Sequence, residues 1–128
     1  MRLIEVVQVA VDVVDPTLRV VRVAGRLTLE GARRIVTLLD GQCRLVESGG
    51  RHTTDVVVDL EGVSWFDPGA LELLRFAGDN CRTAGISLHV SGCGARLPLL
   101  PFRVRQALAQ FSSYPTADLA VTSLVRTD

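Results

Sequence analysis

The chain has 128 residues, 48% of them hydrophobic, and its 14 basic residues balance 14 acidic ones. That size suits one domain spanning residues 1–128, and an apolar content of this order with scattered charge excludes a disordered chain. Zero net charge argues against nucleic acid as a partner; no apolar run reaches the ~18 residues that cross a bilayer, and Met1-Arg2-Leu3-Ile4-Glu5 is no signal peptide, so a cytoplasmic protein without membrane insertion is expected.

Residues 3–14 and 18–24 are dense in apolar side chains, and Asp15-Pro16-Thr17 between them suits a turn joining antiparallel strands. Gly25 is expected to end this hairpin. Thr28 is placed to cap a helix running to about Glu47, with the stripe Ala32, Val36, Leu39, Cys43 and Val46 facing inward. Ser48 to Thr54 has loop composition, and the run Val56-Val57-Val58 with Leu60 predicts a third strand over 55–60, covered on both faces.

A short loop over Glu61 to Phe66 then leads to an abrupt helix start. Asp67 offers a carboxylate to the free N–H groups of the next turn, and Pro68 at the first helical position loses no hydrogen bond and pre-sets φ. The helix is expected to reach about Thr83, burying Leu71, Leu74, Ala77 and Cys81 with Leu73, Phe76 and Asn80 beside them, before Gly85 stops it. Ile86, Leu88 and Val90 alternate with Ser87, His89 and Ser91, the pattern of a half-buried strand closed by Gly92-Cys93-Gly94. Pro98 and Pro101 do not fit one regular helix, so either a loop precedes a helix over 101–110 or two short turns occur. Phe111 to Tyr114 is expected as a brief edge strand, and Pro115-Thr116 as the start of a last helix over 117–125 that buries Leu119, Ala120 and Leu124. The order β-β-α-β-α-β-α-β-α demands a layered α/β domain.

The chemistry legible in this chain is that of a binding protein, not an enzyme. Every cation is arginine, which rules out Schiff-base chemistry and a P-loop lysine, and the small clusters Arg33-Arg34 and Arg103/Arg105 read as solvated helix faces. His52 lies in a polar loop and His89 on a strand, neither with a metal-spaced or nucleophilic partner in sequence. Asp59, Glu61 and Asp67 are close enough to suggest a cation site, yet a strand end and a helix cap account for them equally, so no metal and no cofactor is expected. Three cysteines without C-x-x-C spacing argue against zinc or a disulfide framework; Cys43 and Cys81 fall on buried helix stripes, whereas Cys93, between two glycines, is the candidate redox thiol. The helix start at Asp67-Pro68 carries roughly half a positive charge and favours an anion or an acidic partner group, although the Asp67 carboxylate itself discourages phosphate. A small-ligand or nucleotide-binding module anchored there is one open alternative.

The segment Asp59-Leu60 followed by Asp67-Pro68-Gly69-Ala70-Leu71 resembles the centre of a STAS domain, the fold of bacterial anti-sigma-factor antagonists, whose pattern is a strand ending in Asp-Leu, a short loop, then Asp-Ser-Ser-Gly-Leu opening a helix. Asp67 and Leu71 match that pattern, and the element order matches the STAS layout over nearly the whole chain. The resemblance implies a mixed sheet of four to five strands with helices mainly on one face. It also implies a switch in transcription regulation: an unphosphorylated antagonist binds an anti-sigma factor of the serine-kinase type, and phosphorylation of a loop serine breaks the complex. That serine's position is Gly69, and Pro68 replaces the serine before it, so neither accepts a phosphoryl group. The partner-binding residues expected on this basis are Trp65, Asp67, Pro68, Gly69, Glu72, Leu73 and Phe76, with control by another input such as Cys93 oxidation, a ligand or expression level. A STAS scaffold within another regulatory or transport complex is the second alternative, and homodimerisation is left open.

Overall fold

The Asp15-Pro16-Thr17 turn folds as its chemistry dictates. In the computed structural model, which describes residues 7–125, Asp15 Oδ1 accepts from the backbone N–H groups of Thr17 (2.7 Å) and Leu18 (2.9 Å) and so closes a hairpin of β1 (Gln8–Asp15) and β2 (Leu18–Leu27). These bonds to the ionised carboxylate hold the Asp15 pKa below its ordinary value. Residues 3–6 of the expected first strand lie outside the described residues.

Thr28 accepts from Gly31 N at 3.2 Å and starts α1 (Leu29–Glu47), and β3 (Asp55–Phe66) then adds parallel to β2. Helix α2 (Pro68–Thr83) leads to β4 (Ser87–Ser91), parallel to β3; a single 3-10 turn at Leu97–Leu99 precedes α3 (Phe102–Leu108), β5 (Ser112–Tyr114) and α4 (Ala117–Leu124). The sheet runs β1-β2-β3-β4-β5 in spatial order, antiparallel only at β1–β2. This is the α/β architecture and element order read from the sequence.

Two layers of core hold the sheet. On one face Val21, Val23, Val56, Val58 and Leu60 pack with Ile35 and Leu39 of α1, Leu71 and Leu74 of α2, and Val104 and Leu108 of α3. Each large aliphatic side chain fully withdrawn from water there contributes about 1.5–3 kcal/mol. On the opposite face Leu18, Val20 and Val57 lie beneath Ala120 of α4. Burial on both sides explains why β3 opens as an uninterrupted β-branched run rather than an alternation.

Two boundaries and the burial of two segments differ from expectation. Gly25 does not end β2: the strand continues to Leu27, and Gly25, at φ 96°, sits within it where the register with β3 slips. Nor is 61–66 a loop, because β3 runs on to Phe66. Its register with β2 slips between Arg22 and Ala24 and again between Gly25 and Arg26, each time with one extra β3 residue, so the buried positions Leu60, Val63 and Phe66 recur every third residue instead of every second. His89 and Ser91 do not face solvent; they are 8% and 1% exposed, because α4 and β5 enclose that side of β4. Ala120 is buried as expected, but Leu119 is half exposed and Leu124 only partly buried, and α4 buries Ala117 beside Ala120.

Candidate functional site

The end of β3 outruns its neighbour. Strand β4 pairs with β3 only as far as Ser91 opposite Asp59, so from Leu60 onward β3 has a strand on one side alone. The carbonyls left without a ladder partner are taken by one side chain: Arg96 Nη2 donates to Leu60 O at 2.6 Å and Arg96 Nη1 to Val63 O, while its guanidinium lies 5.3 Å from the centroid of the Phe66 ring. Bonds from a charged donor to backbone carbonyls are stronger than neutral ones, and they fix the strand end from which α2 springs. Nothing in the local sequence announces this, since Arg96 stands 33 and 36 residues from the groups it holds.

On the other side, Asp67 N donates to Leu27 O at 3.0 Å and extends the β2–β3 pairing to the very start of α2. Asp67 Oδ1 then accepts from Gly69 N at 2.8 Å, and Pro68 occupies the first turn. The cap expected from the sequence is in place. Asp59, by contrast, is 5% exposed and is spent on Ser91 Oγ at 3.0 Å and Arg22 Nη1 at 3.1 Å. The carboxylates of Asp59, Glu61 and Asp67 form no metal-holding group among the described residues.

The structure brings several of the candidate residues together at this helix start. Gly69 is exposed, and Asp67 and Pro68 are partly so. A Cβ on Gly69 would lie 3.2 Å from Asp67 Oδ1 and 3.4 Å from Leu29 Cδ2, close contacts that bring in the exposed Leu29 as a neighbour that the sequence did not single out. Trp65 is 43% exposed with the Arg26 guanidinium 4.7 Å from its ring centroid. Further along α2, Glu72 pairs with Arg75 at 3.1 Å, Arg75 covers the Phe76 ring, and Phe76 is exposed while Leu73 is half-buried. Between α2 and α3 runs a groove lined by Pro68, Gly69, Glu72 and Arg75 on one side and Arg103, Gln106 and Gln110 on the other.

Cys93 lies apart from this surface. It is buried, and burial pushes its thiol pKa up against the opposing pull of Arg96, so the thiol expected in an accessible loop is a wall residue. Cys43 and Cys81 are buried in the helix layer as read. His89 is held between Asp55 (Nε2 to Oδ1, 2.9 Å) and Ser112 (Nδ1 to Oγ, 2.8 Å) and serves the β3–β4–β5 junction.

No family model and no curated protein matches the sequence. Solved structures do. SpoIIAA, an anti-sigma factor antagonist in its unphosphorylated form, superposes with a TM-score of 0.66 at 12% identity over 94% of this chain and 100% of that one. An anti-sigma factor antagonist from Mycobacterium paratuberculosis gives 0.66 at 20% identity over 93% and 94%. The murine Solute Carrier 26 family member A9 anion transporter gives 0.57 at 12% identity; 94% of this chain is covered, but only 22% of the transporter. One fold thus serves regulators and part of a transporter, and at such identities the likeness speaks for architecture alone. With its five-stranded mixed sheet, its helix order and its matching helix-start segment, the chain has the STAS fold found in the anti-sigma factor antagonists.

Proposed function

We propose that this protein is an anti-sigma-factor antagonist that docks the front of α2 on a serine-kinase-type anti-sigma factor and is not switched by phosphorylation there. The observation that carries the reading is the presentation of Gly69: capped by Asp67, exposed, with no left-handed φ and no side chain, at the position where the STAS pattern has its phospho-acceptor. A phosphate adds about −1.5 to −2 charges, which a partner fitted to a neutral group at that position rejects. Glycine keeps this position permanently uncharged. Trp65, Glu72, Leu73 and Phe76 extend the contact, and the whole stretch 1–128 acts as one cytoplasmic domain with no catalytic role and no cofactor.

The test is a titration of the purified chain against purified serine-kinase-type anti-sigma factors of the host, with and without radiolabelled ATP. The expected result is saturable binding, at least tenfold weaker for Gly69→Glu, with no label in residues 67–71. Gly69→Ser restores a hydroxyl at this exposed position and is expected to acquire label. Label in the wild-type segment, or equal affinity of the wild type and Gly69→Glu, overturns the reading.

A further inference from the structure

Beyond β4, the segment that supplies Arg96 also roofs a half-open cavity of about 470 Å³, set at the C-terminal ends of the parallel strands β4 and β5. Its shape is fixed by backbone: Gly92 N donates to Tyr114 O at 3.3 Å, tying the two strand ends, and Gly94 approaches Pro115 so closely that a Cβ would lie 2.8 Å from it. The walls are mainly apolar, with Val90, Leu97, Leu108 and Tyr114 among them.

No aspartate or glutamate lines this cavity, and its one charged lining residue is Arg105. Among the described residues the Arg105 guanidinium has no carboxylate partner; it lies exposed, 5.9 Å from the Phe102 ring centroid. An apolar volume with a single cation matches a ligand with an apolar body and a single negative charge, and a planar carboxylate suits the guanidinium fork. A nucleotide, with several negative charges and a polar sugar, finds neither enough cations nor enough polar wall.

We propose that this cavity binds a small apolar monocarboxylate, its chain against Leu97, Leu108 and Tyr114 and its carboxylate on Arg105. The site is independent of the docking surface proposed above.

The experiment uses the full chain with sodium octanoate as probe and octanamide, its uncharged counterpart, followed by two-dimensional NMR. Octanoate is expected to saturate with a Kd of about 0.1–1 mM and to shift signals within residues 90–98 and 105–115. Octanamide is expected to bind about tenfold or more weakly, and Arg105→Gln to cost octanoate the same factor while leaving octanamide unchanged. Ala109→Trp, which fills the cavity from the exposed C-terminal cap of α3, abolishes binding of both without disturbing the remaining spectrum. Absence of saturation, equal binding of octanoate and octanamide, indifference to Arg105→Gln, or shifts scattered over the exposed valines of β1 would overturn the proposal.

Discussion

The Sγ atoms of Cys43 on α1 and Cys81 on α2 face each other at 3.4 Å, with both residues buried in the interface between the two helices. Burial, aided by the Cys43 contact, pushes the Cys81 thiol up to about 12. In the unfolded chain the same thiol ionises near its ordinary value, so above that value the unfolded state loses protons that the folded state keeps. Burial of the Cys81 thiol therefore contributes its full stability below pH ~9 and loses it as the pH climbs toward 12, by at most about 1.4 kcal/mol per unit. Urea unfolding at stepped alkaline pH is expected to show this decline in the wild type and a flatter profile for Cys81→Ala.

Removing the Arg96 guanidinium leaves the carbonyls of Leu60 and Val63 without a donor and uncovers Phe66. Arg96→Met is expected to cost about 2–4 kcal/mol while keeping aliphatic packing. Chemical denaturation measures the loss, and amide exchange is expected to quicken in residues 60–69 before it does in 55–59, where β3 has a strand on both sides.

Gly92 and Gly85 both have positive φ, 93° and 82°, yet they are not equivalent. A Cβ on Gly85 meets open space, so Gly85→Ala is expected to cost only the left-handed backbone, about 1 kcal/mol. On Gly92 it would stand 2.5 Å from Glu61 N and 2.6 Å from Asp59 Oδ1, forcing apart the hydrogen-bonded strand ends. Gly92→Ala is expected to cost at least about 3 kcal/mol, read from paired thermal melts of the two variants.

Asp15 gives an acid-side signature. Because its carboxyl pKa is lowered by the N–H groups of Thr17 and Leu18, its contribution is complete above the unfolded value and lost as the pH falls through the folded one. Asp15→Asn keeps an acceptor but no charge, and is expected to be less stable than the wild type at pH 7 and to converge with it in acid. Equal stabilities across that range would show that the turn does not depend on the ionised form.

Legibility in the sequence followed the range of the interactions. Caps are local chemistry, so Thr28, Asp67-Pro68 and Thr116 marked three helix starts, and Gly85 one helix end. The strand run at 56–60 was plain because both faces are buried. Extension of β3 to Phe66 was hidden because its two register slips convert a two-residue period into a three-residue one, and no propensity signals a bulge. His89 read as solvent-facing because its cover comes from β5, 23 residues on. At the site, Asp67, Pro68 and Gly69 were legible as a helix start, whereas Leu29, Arg96 and Arg103 reach it only through tertiary folding and carry no local mark. The cavity was invisible for the same reason, since its walls come from four separate stretches of chain between Val90 and Pro115.

Strand β3 projects past β4 like a cantilever, clamped along one side by β2 and propped on the other by Arg96. The prop belongs to the short span between Gly94 and Leu97, both of which border the cavity. Arg96 thus holds two carbonyls of the strand that leads into α2, the helix bearing Gly69. The overhanging end of β3 and the border of the cavity therefore share one guanidinium as a common structural tie.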